Sequence, residues 1–509
     1  MTETDEFIER RIITGMIVST EYMRVIQQIW DPRILLSASA KILAEWCREY
    51  FATYNQAPKK DIEVVYIEKL RGGLDKARGN EIEQILQSLS DEYNRKQFNL
   101  DYLLDETKRY FQLRRLRNFT EDINAELASG SLLEAERLAS SFTVADKEVS
   151  DSVDPFESVE KIKSVFSNEK KPLIEFSKAL GKFWNDQMTR EAFVAFLAME
   201  KKGKTFWLIE LAMRGITCGC NVAFFQAGDM SESQLIRRLC IYLARRSDNE
   251  KYCEGMFIPV LDCRYNQINS CSRQERESQF GVLSPGTDFE NIKYDELVKA
   301  YSDSPDYKPC RNCKDGVWTV WLRWRDKVNS LTWKEAVRET IKFRRHYRKR
   351  FRLCSYPNET LTIAKMRSLL DTWERSENFV PDIIIVDYAD ILAVDPDCYR
   401  LDFRNQQNKI WQRLRRLSQE KHCLVLTATQ ASARSYTKES LRMSDFSETK
   451  TKYAHVTAMY GLNQSDEEKK IGLMRINELV VREGDFDRTT EIRVLQRLQI
   501  GRPFLGSFK

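Results

Sequence analysis

The sequence predicts an α/β domain, a largely parallel sheet covered by helices, behind an all-α front domain and interrupted by a small cysteine-bearing insertion. Three observations predict it. Residues 193–209, FVAFLAMEKKGKTFWLI, give an apolar run, a polar lysine-rich turn and then an amphipathic helix. Residues 382–392, DIIIVDYADIL, give a second apolar run that closes on an acidic residue. From about residue 173 apolar runs alternate with helical patterns, whereas the first 146 residues show mainly three- and four-residue periodicity.

Size and composition set the frame. The 509 residues are enough for about three domains of roughly 150 residues each. Hydrophobic residues at 42 % and charged residues at 31 % suit a folded core with a wetted surface. A net charge of +5 is too small to mark a nucleic-acid binder, so any basic surface has to be local. No run of about 18 apolar residues occurs, and the opening MTETDEFIERR lacks the basic-then-apolar layout of a signal peptide. A cytoplasmic location with no membrane partner is expected. The twelve cysteines then read as reduced thiols, except where they group at metal spacing.

Residues 1–146 are expected to form a helical interaction domain, with helices over 6–17, 38–54, 81–93 and 102–127. Asp101 is placed to cap the last of these, and Gly130-Ser131 to break it. This part holds no histidine and one cysteine, Cys47, which reads as a buried thiol. Residues 147–172 form a polar, charged linker carrying Pro155 and one short helix, 156–166. Val159, Ile162 and Val165 or Phe166 would dock that helix on an adjacent subunit, or on a neighbouring domain of the same chain.

Residues 173–509 carry the chemistry. Ala198 and Gly203-Lys204-Thr205 stand at the spacing [AG]-x4-GK[ST], between a strand and a helix. That order suits a phosphate: loop N–H groups wrap it, the helix start adds partial positive charge, Lys204 reaches the outer phosphates of ATP and Thr205 ligates magnesium. The nucleotide-binding set is therefore Ala198, Glu200, Lys201, Lys202, Gly203, Lys204 and Thr205, with Lys201 and Lys202 expected to offset the charge of Glu200. An exposed lysine-rich turn is the plainer alternative.

NVAFF, 221–225, reads as the next strand and runs into Asp229, at the edge where a water-activating carboxylate belongs. The competing role for Asp229 is a helix cap, a job Ser231 could share. Asp387, closing the aliphatic strand of DIIIVDYADIL, is the expected partner of Thr205 on magnesium. KHCLVLT, 421–427, is a further strand with Gln430 just past its end, suited to sensing the terminal phosphate or to capping a loop.

Residues 253–367 read as an insertion. Cys310 and Cys313 form a two-thiolate half-site, and with the more widely spaced Cys263 and Cys271 they would complete a four-cysteine zinc site, unless they are reduced structural thiols. Cys253 and Cys354 are spare candidates. The tract 318–352, ending FRRHYRKRFR, mixes aromatic and basic residues and suits phosphate contact and base stacking, or simply a solvated helix face.

Taken together these residues resemble the DnaB-type replicative helicases, which are RecA-like ATPases, and especially their viral members, over most of the chain. GKTFWLIELAMRG and NVAFFQAGDMSESQLIRR look like the family's phosphate loop and carboxylate strand. DIIIVDYADIL looks like its Walker B strand, TATQAS like its sensor strand, and 444–486 like the segment that ends in a finger arginine. The resemblance implies Lys204 and Thr205 on phosphate and magnesium, Asp387 on the metal, Asp229 as water activator, Gln430 as sensor and Arg482 acting on the neighbouring subunit's nucleotide. It implies a homo-oligomer, a hexameric ring with the helical domain as collar, and single-stranded and forked DNA as substrates. A primase and a helicase loader are the partners that go with it. Arg404, Arg434, Lys438 and Arg442 follow the Walker B and sensor strands and are the candidate DNA cations.

Three residues depart from the family pattern: Ala198 for the first loop glycine, Asp229 for a glutamate, and Val480 where a lysine precedes the finger by two. Two other readings stay open: a RecA-like recombination ATPase that forms filaments on strands, and a weakly hydrolytic loader or scaffold.

Overall fold

The computed structural model describes residues 3–73, 75–93, 100–141, 162–163, 166, 171–313, 316–432, 440–442, 445, 450–482, 484, 487 and 489–509. The chain divides into two compact units, Met1–Asp151 and Ser152–Lys509. Most of the expected linker helix, with Val159 and Val165, lies outside the described residues, as do Arg434 and Lys438.

The first unit is all helical among its described residues. The helices Glu3–Val18, Ala38–Tyr54, Lys76–Tyr93 and Leu100–Ala128 fall where the periodicity puts them. Asp101 lies inside the last of these, one residue past its first. Three shorter helices, Thr20–Ile29, Asp61–Arg71 and Leu132–Ser141, add to those expected. Ile12, Met16, Tyr22, Leu43, Cys47 and Phe111 make the core, and burial pushes the Cys47 thiol well above its ordinary pKa. One buried carboxylate organises the packing. Glu9 accepts from the backbone N–H of Leu36 and Ser37 and from the Tyr110 hydroxyl, which pins the turn that leads into Ala38–Tyr54.

The second unit is built on a nine-stranded sheet. In chain order its strands are β1 Phe193–Ala198, β2 Val222–Gln226, β5 Phe351–Ser355, β6 Ile383–Asp387, β7 Leu424–Gln430, β8 Ala458–Asn463, β9 Leu473–Val481, β10 Glu491–Arg497 and β11 Arg502–Phe508; β3 Met256–Cys263 and β4 Trp318–Arg325 form a separate antiparallel ribbon. The sheet order is β11-β10-β9-β8-β1-β7-β6-β2-β5. From β8 to β5 every pairing is parallel, and β9 to β11 extend the sheet antiparallel.

Both faces of the parallel part are covered, so its strands are apolar throughout, and alternate residues feed opposite cores. Val194 and Phe196 of β1 join Trp184, Trp207 and Tyr460 on one face. Phe193, Ala195 and Leu197 join Phe225, Trp411 and Val425 on the other. On the first face Trp184 meets Phe176, Phe196, Trp207 and Tyr460 edge-on, with ring centroids 5.1–5.7 Å apart. It therefore ties β1 to the helix Lys204–Thr217, the two elements that bracket residues 199–203.

The expected insertion, 253–367, is cut short by the sheet. Its last part supplies β5, which pairs with β2 from Val222↔Phe351 to Gln226↔Ser355. The helix Trp333–His346 precedes that strand, and its Phe343 packs against the main core with Tyr347 and Phe351. The basic-aromatic tract is thus partly core and partly solvated face. The β3–β4 ribbon has a core of its own, Val260, Leu297, Trp321 and Leu322, shared with Leu495 and Phe508 of the sheet's antiparallel end.

Trp184→Ala is expected to destabilise the second unit by roughly 3–5 kcal/mol, the usual cost of emptying a fully buried indole site. Urea unfolding followed by circular dichroism measures it.

Candidate active site

The carboxyl ends of the parallel strands gather the predicted residues. Ala198 closes β1 and is fully buried, in register with Gln430 on one side and Leu462 on the other. Gly203 caps the helix Lys204–Thr217 at φ 89, left-handed backbone open to glycine, and a Cβ there would come within 2.8 Å of Leu498. Lys204 folds back over the loop, its ammonium donating to the carbonyls of Ala198 and Met199 at 3.3 and 3.4 Å. Burial pulls its pKa down, while Asp229, Asp387, Asp390 and Glu200 pull it back up. A cation held in this way is drawn toward added negative charge.

Asp387 is the decisive group. It ends β6, is 1 % exposed, and neither carboxylate oxygen has a hydrogen-bond partner. The Thr205 hydroxyl faces it and favours its charged form without a well-formed bond to either oxygen. Burial pushes its pKa up to about 6, with Asp229 adding to the rise, and Thr205, Arg238 and Lys204 opposing it. A buried anion with both oxygens free, beside a threonine hydroxyl, is an oxygen donor set that fits magnesium.

Asp229 is exposed just beyond β2. It is not the cap of the following helix: Ser231 is, and it completes a capping box with Gln234. Gly228 fixes the turn, since at φ 111 a Cβ would sit 2.3 Å from the Asn358 backbone nitrogen. Asp229 is thereby set near Lys204, Asp387 and Arg238.

Gln430 is the last residue of β7, because that strand begins at Leu424 and not at Lys421. Its side chain donates to Glu200 at 2.8 Å. The Glu200 charge therefore has a partner on β7. Lys202 does not offset it; its ammonium is turned to the Gln464 carbonyl at 2.8 Å.

Arg482 lies at the other end of the sheet. Its backbone bonds to Thr457, and Thr457 bonds to Phe193, the first residue of β1. The phosphate loop leaves from the last residue of that strand, about 17 Å away at ~3.3 Å per residue. Arg482 and Lys204 of one chain are thus at opposite strand ends.

A search of solved structures returns a DnaB-like replicative helicase, described with its interactions with primase, at a TM-score of 0.53 and 12 % identity over 97 % of this chain and 98 % of that one. The chain has the fold of a DnaB-like helicase. A second solved structure, an isolated ATPase domain, aligns at a TM-score of 0.44 and 12 % identity over 70 % of this chain and 100 % of that one. No protein-family profile matches the sequence, and no curated protein does.

The DnaB-like fold also holds residues whose positions the sequence did not announce. Arg238, two turns into the helix after Asp229, interacts with Asp229 and Asp387 and stacks over Phe206 at 4.8 Å. Tyr388 places its ring 5.9 Å from the Lys204 ammonium. Asp390 accepts from Thr429 at 2.7 Å and from the fully buried Lys452 at 2.6 Å. Arg238 could have been found by helical spacing from Asp229; nothing in the pattern pairs Asp390 with Lys452. Of the DNA candidates, Arg404 and Arg442 are exposed.

The zinc expectation gains no support. Cys263, Cys271, Cys310 and Cys313 do line one small cavity. Yet among the described residues no three His, Cys, Asp or Glu side chains stand together to hold a metal. What ties these loops is the buried carboxylate of Asp262. It accepts from the Tyr307 hydroxyl at 2.7 Å, Gln267 at 3.0 Å and the backbone N–H of Cys310 at 2.8 Å. Cys263 and Cys310 are buried, while Cys271 and Cys313 lie half-buried.

Asp387 has a testable pH signature. Its folded value, about 6, lies above the ordinary 3.8, so the folded chain keeps a proton through that window and loses stability as pH rises across it. Asp387→Asn is expected to remove this loss and to raise the melting temperature at pH 7.5 more than at pH 5. Magnesium-dependent nucleotide binding by the parent is expected to weaken below about pH 6, as protons compete for the carboxylate. Calorimetric scans and magnesium titrations at the two pH values read both effects.

Proposed function

We propose that this chain is a ring-forming, ATP-driven DNA helicase of the replicative kind, working at single-stranded and forked DNA. The observation that carries the reading is the unpaired buried carboxylate of Asp387 beside Thr205 and Lys204, with Arg482 at the far ends of the same strands. The first part is suited to gripping a magnesium-bound triphosphate. The second makes one chain's site incomplete without another copy, which supports a closed oligomer.

In this mechanism the loop N–H groups and Lys204 hold the outer phosphates, and the start of the helix Lys204–Thr217 adds its dipole. Thr205 and Asp387 would hold magnesium, which when bound neutralises charge across the phosphates. Asp229, exposed at the end of β2, orients a water and accepts its proton as the water attacks. Gln430 leaves Glu200 to meet the terminal phosphate. Arg482 from the next copy neutralises charge developing on the transferred group. Arg404 and Arg442, with Arg434 and Lys438, contact strand phosphate, so binding should weaken with salt.

The structural neighbour's interactions with primase support a primase among the partners, and a ring that must be placed round its strand calls for a loader. Val480 and the shorter Asp229 favour slow turnover, and they are what keep the scaffold reading in view.

Lys204→Ala is expected to cut DNA-stimulated ATP hydrolysis by roughly 100-fold or more and to abolish unwinding. A forked-DNA assay with ATP and with a non-hydrolysable analogue measures it, and unwinding retained by the variant would end the proposal. Asp229→Asn should remove hydrolysis while leaving nucleotide binding in place. If the parent itself shows no turnover that this change can remove, the scaffold reading stands instead.

A further inference from the structure

The end of the sheet away from Lys204 carries a groove of which the roles above use Arg482 alone. It is lined by Lys409, Gln412, Arg413, Arg415 and Arg416 of the helix Phe403–Glu420, together with His455 and Arg482. Its charged groups fall into two sets. Arg413 is paired with Asp395 and Asp397, Arg416 with Glu420, and Arg415 is held by the Glu191 carbonyl and the Ser418 hydroxyl. Lys409 and Arg482 form no ion pair among the described residues: the Lys409 ammonium donates to Gln412 at 3.1 Å, and the Arg482 guanidinium to the Ala454 carbonyl. His455 stands between them. It bonds to Asn408 at 2.7 Å, and burial with the nearby charges of Arg482 and Lys409 holds it neutral. No carboxylate lines the groove among the described residues. Val480, two residues before Arg482, packs against the sheet's core and brings no charge.

We infer that Lys409 and Arg482 together receive the triphosphate of a second copy of this chain, Lys409 being a second cation of the site that Arg482 enters. This rests on the trans arrangement proposed above and adds a residue to it. Two unmatched cations in one groove select a multiply charged oxyanion over a single carboxylate. Because the groove lies at the far strand ends from Lys204, that anion cannot belong to the same chain. No bond is made or broken by Lys409; it screens charge that grows on the phosphoryl oxygens.

The test is ATP hydrolysis by Lys409→Ala, Lys409→Arg and Arg482→Ala, each alone and mixed with Lys204→Ala, with assembly followed by sedimentation. Lys409 is exposed, so its replacement should leave the fold intact. Lys409→Ala is expected to lower kcat roughly tenfold or more with little change in KM for ATP, and Lys409→Arg to retain most of the rate. Mixing Lys409→Ala with Lys204→Ala should restore activity above either alone, since the second variant lends an intact Lys409 to the first variant's intact nucleotide site. Parental turnover by Lys409→Ala would overturn the inference. So would a gain in the Arg482→Ala mixture without one in the Lys409→Ala mixture, which would leave the trans arrangement standing. If neither mixture gains, that arrangement falls too. A Lys409→Ala variant that loses strand affinity while keeping its DNA-free kcat would make the groove a DNA surface and also overturn the inference.

Discussion

A buried carboxylate with no well-formed hydrogen bond to either oxygen governs the second unit. Burying Asp387 with both oxygens unmatched is costly, and the chain meets that cost with a strand too apolar to sit anywhere else. Ile383 to Val386 force the aspartate to the sheet's carboxyl edge, β1 delivers the phosphate loop beside it, and β2 delivers Asp229. The paired tryptophans and phenylalanines on the sheet faces hold those three strand ends in one place. The cost of that burial and the readiness of the site for a cation are one property.

The parts of this arrangement that were legible in the sequence are those written in consecutive residues. A buried run followed by GKT, or by Asp, states both a strand and what stands at its end, because strand direction fixes which edge the next residue reaches. The long front helices were legible for the same reason. Short helices such as Asp61–Arg71 were not, since Val64-Val65 breaks their periodic signal.

What could not be read depends on pairing across distance. β5 belongs to the sheet only because β2 has a free edge, and the residues between them look like an insertion until that edge is known. Glu200 looks repulsive in a phosphate loop until β7 lies next to β1 and offers Gln430. The four cysteines line one cavity, but the loops that carry them are tied by Asp262, a residue with no motif around it. Departures from a family pattern were legible as gaps; the groups that surround them, as the helix Phe403–Glu420 lies close to Arg482, come from other elements.

The Lys452–Asp390 pair has a consequence for how this sequence can change over generations. Lys452 is wholly enclosed, and its ammonium touches Asp390 and the face of Trp411. Losing either charged partner strands the other in a dry interior, at a cost of about 3–5 kcal/mol, whereas exchanging both for well-packed apolar side chains is close to neutral. Descendants of this chain will therefore keep the two residues or lose them as a couple, and a lineage carrying only one should be rare.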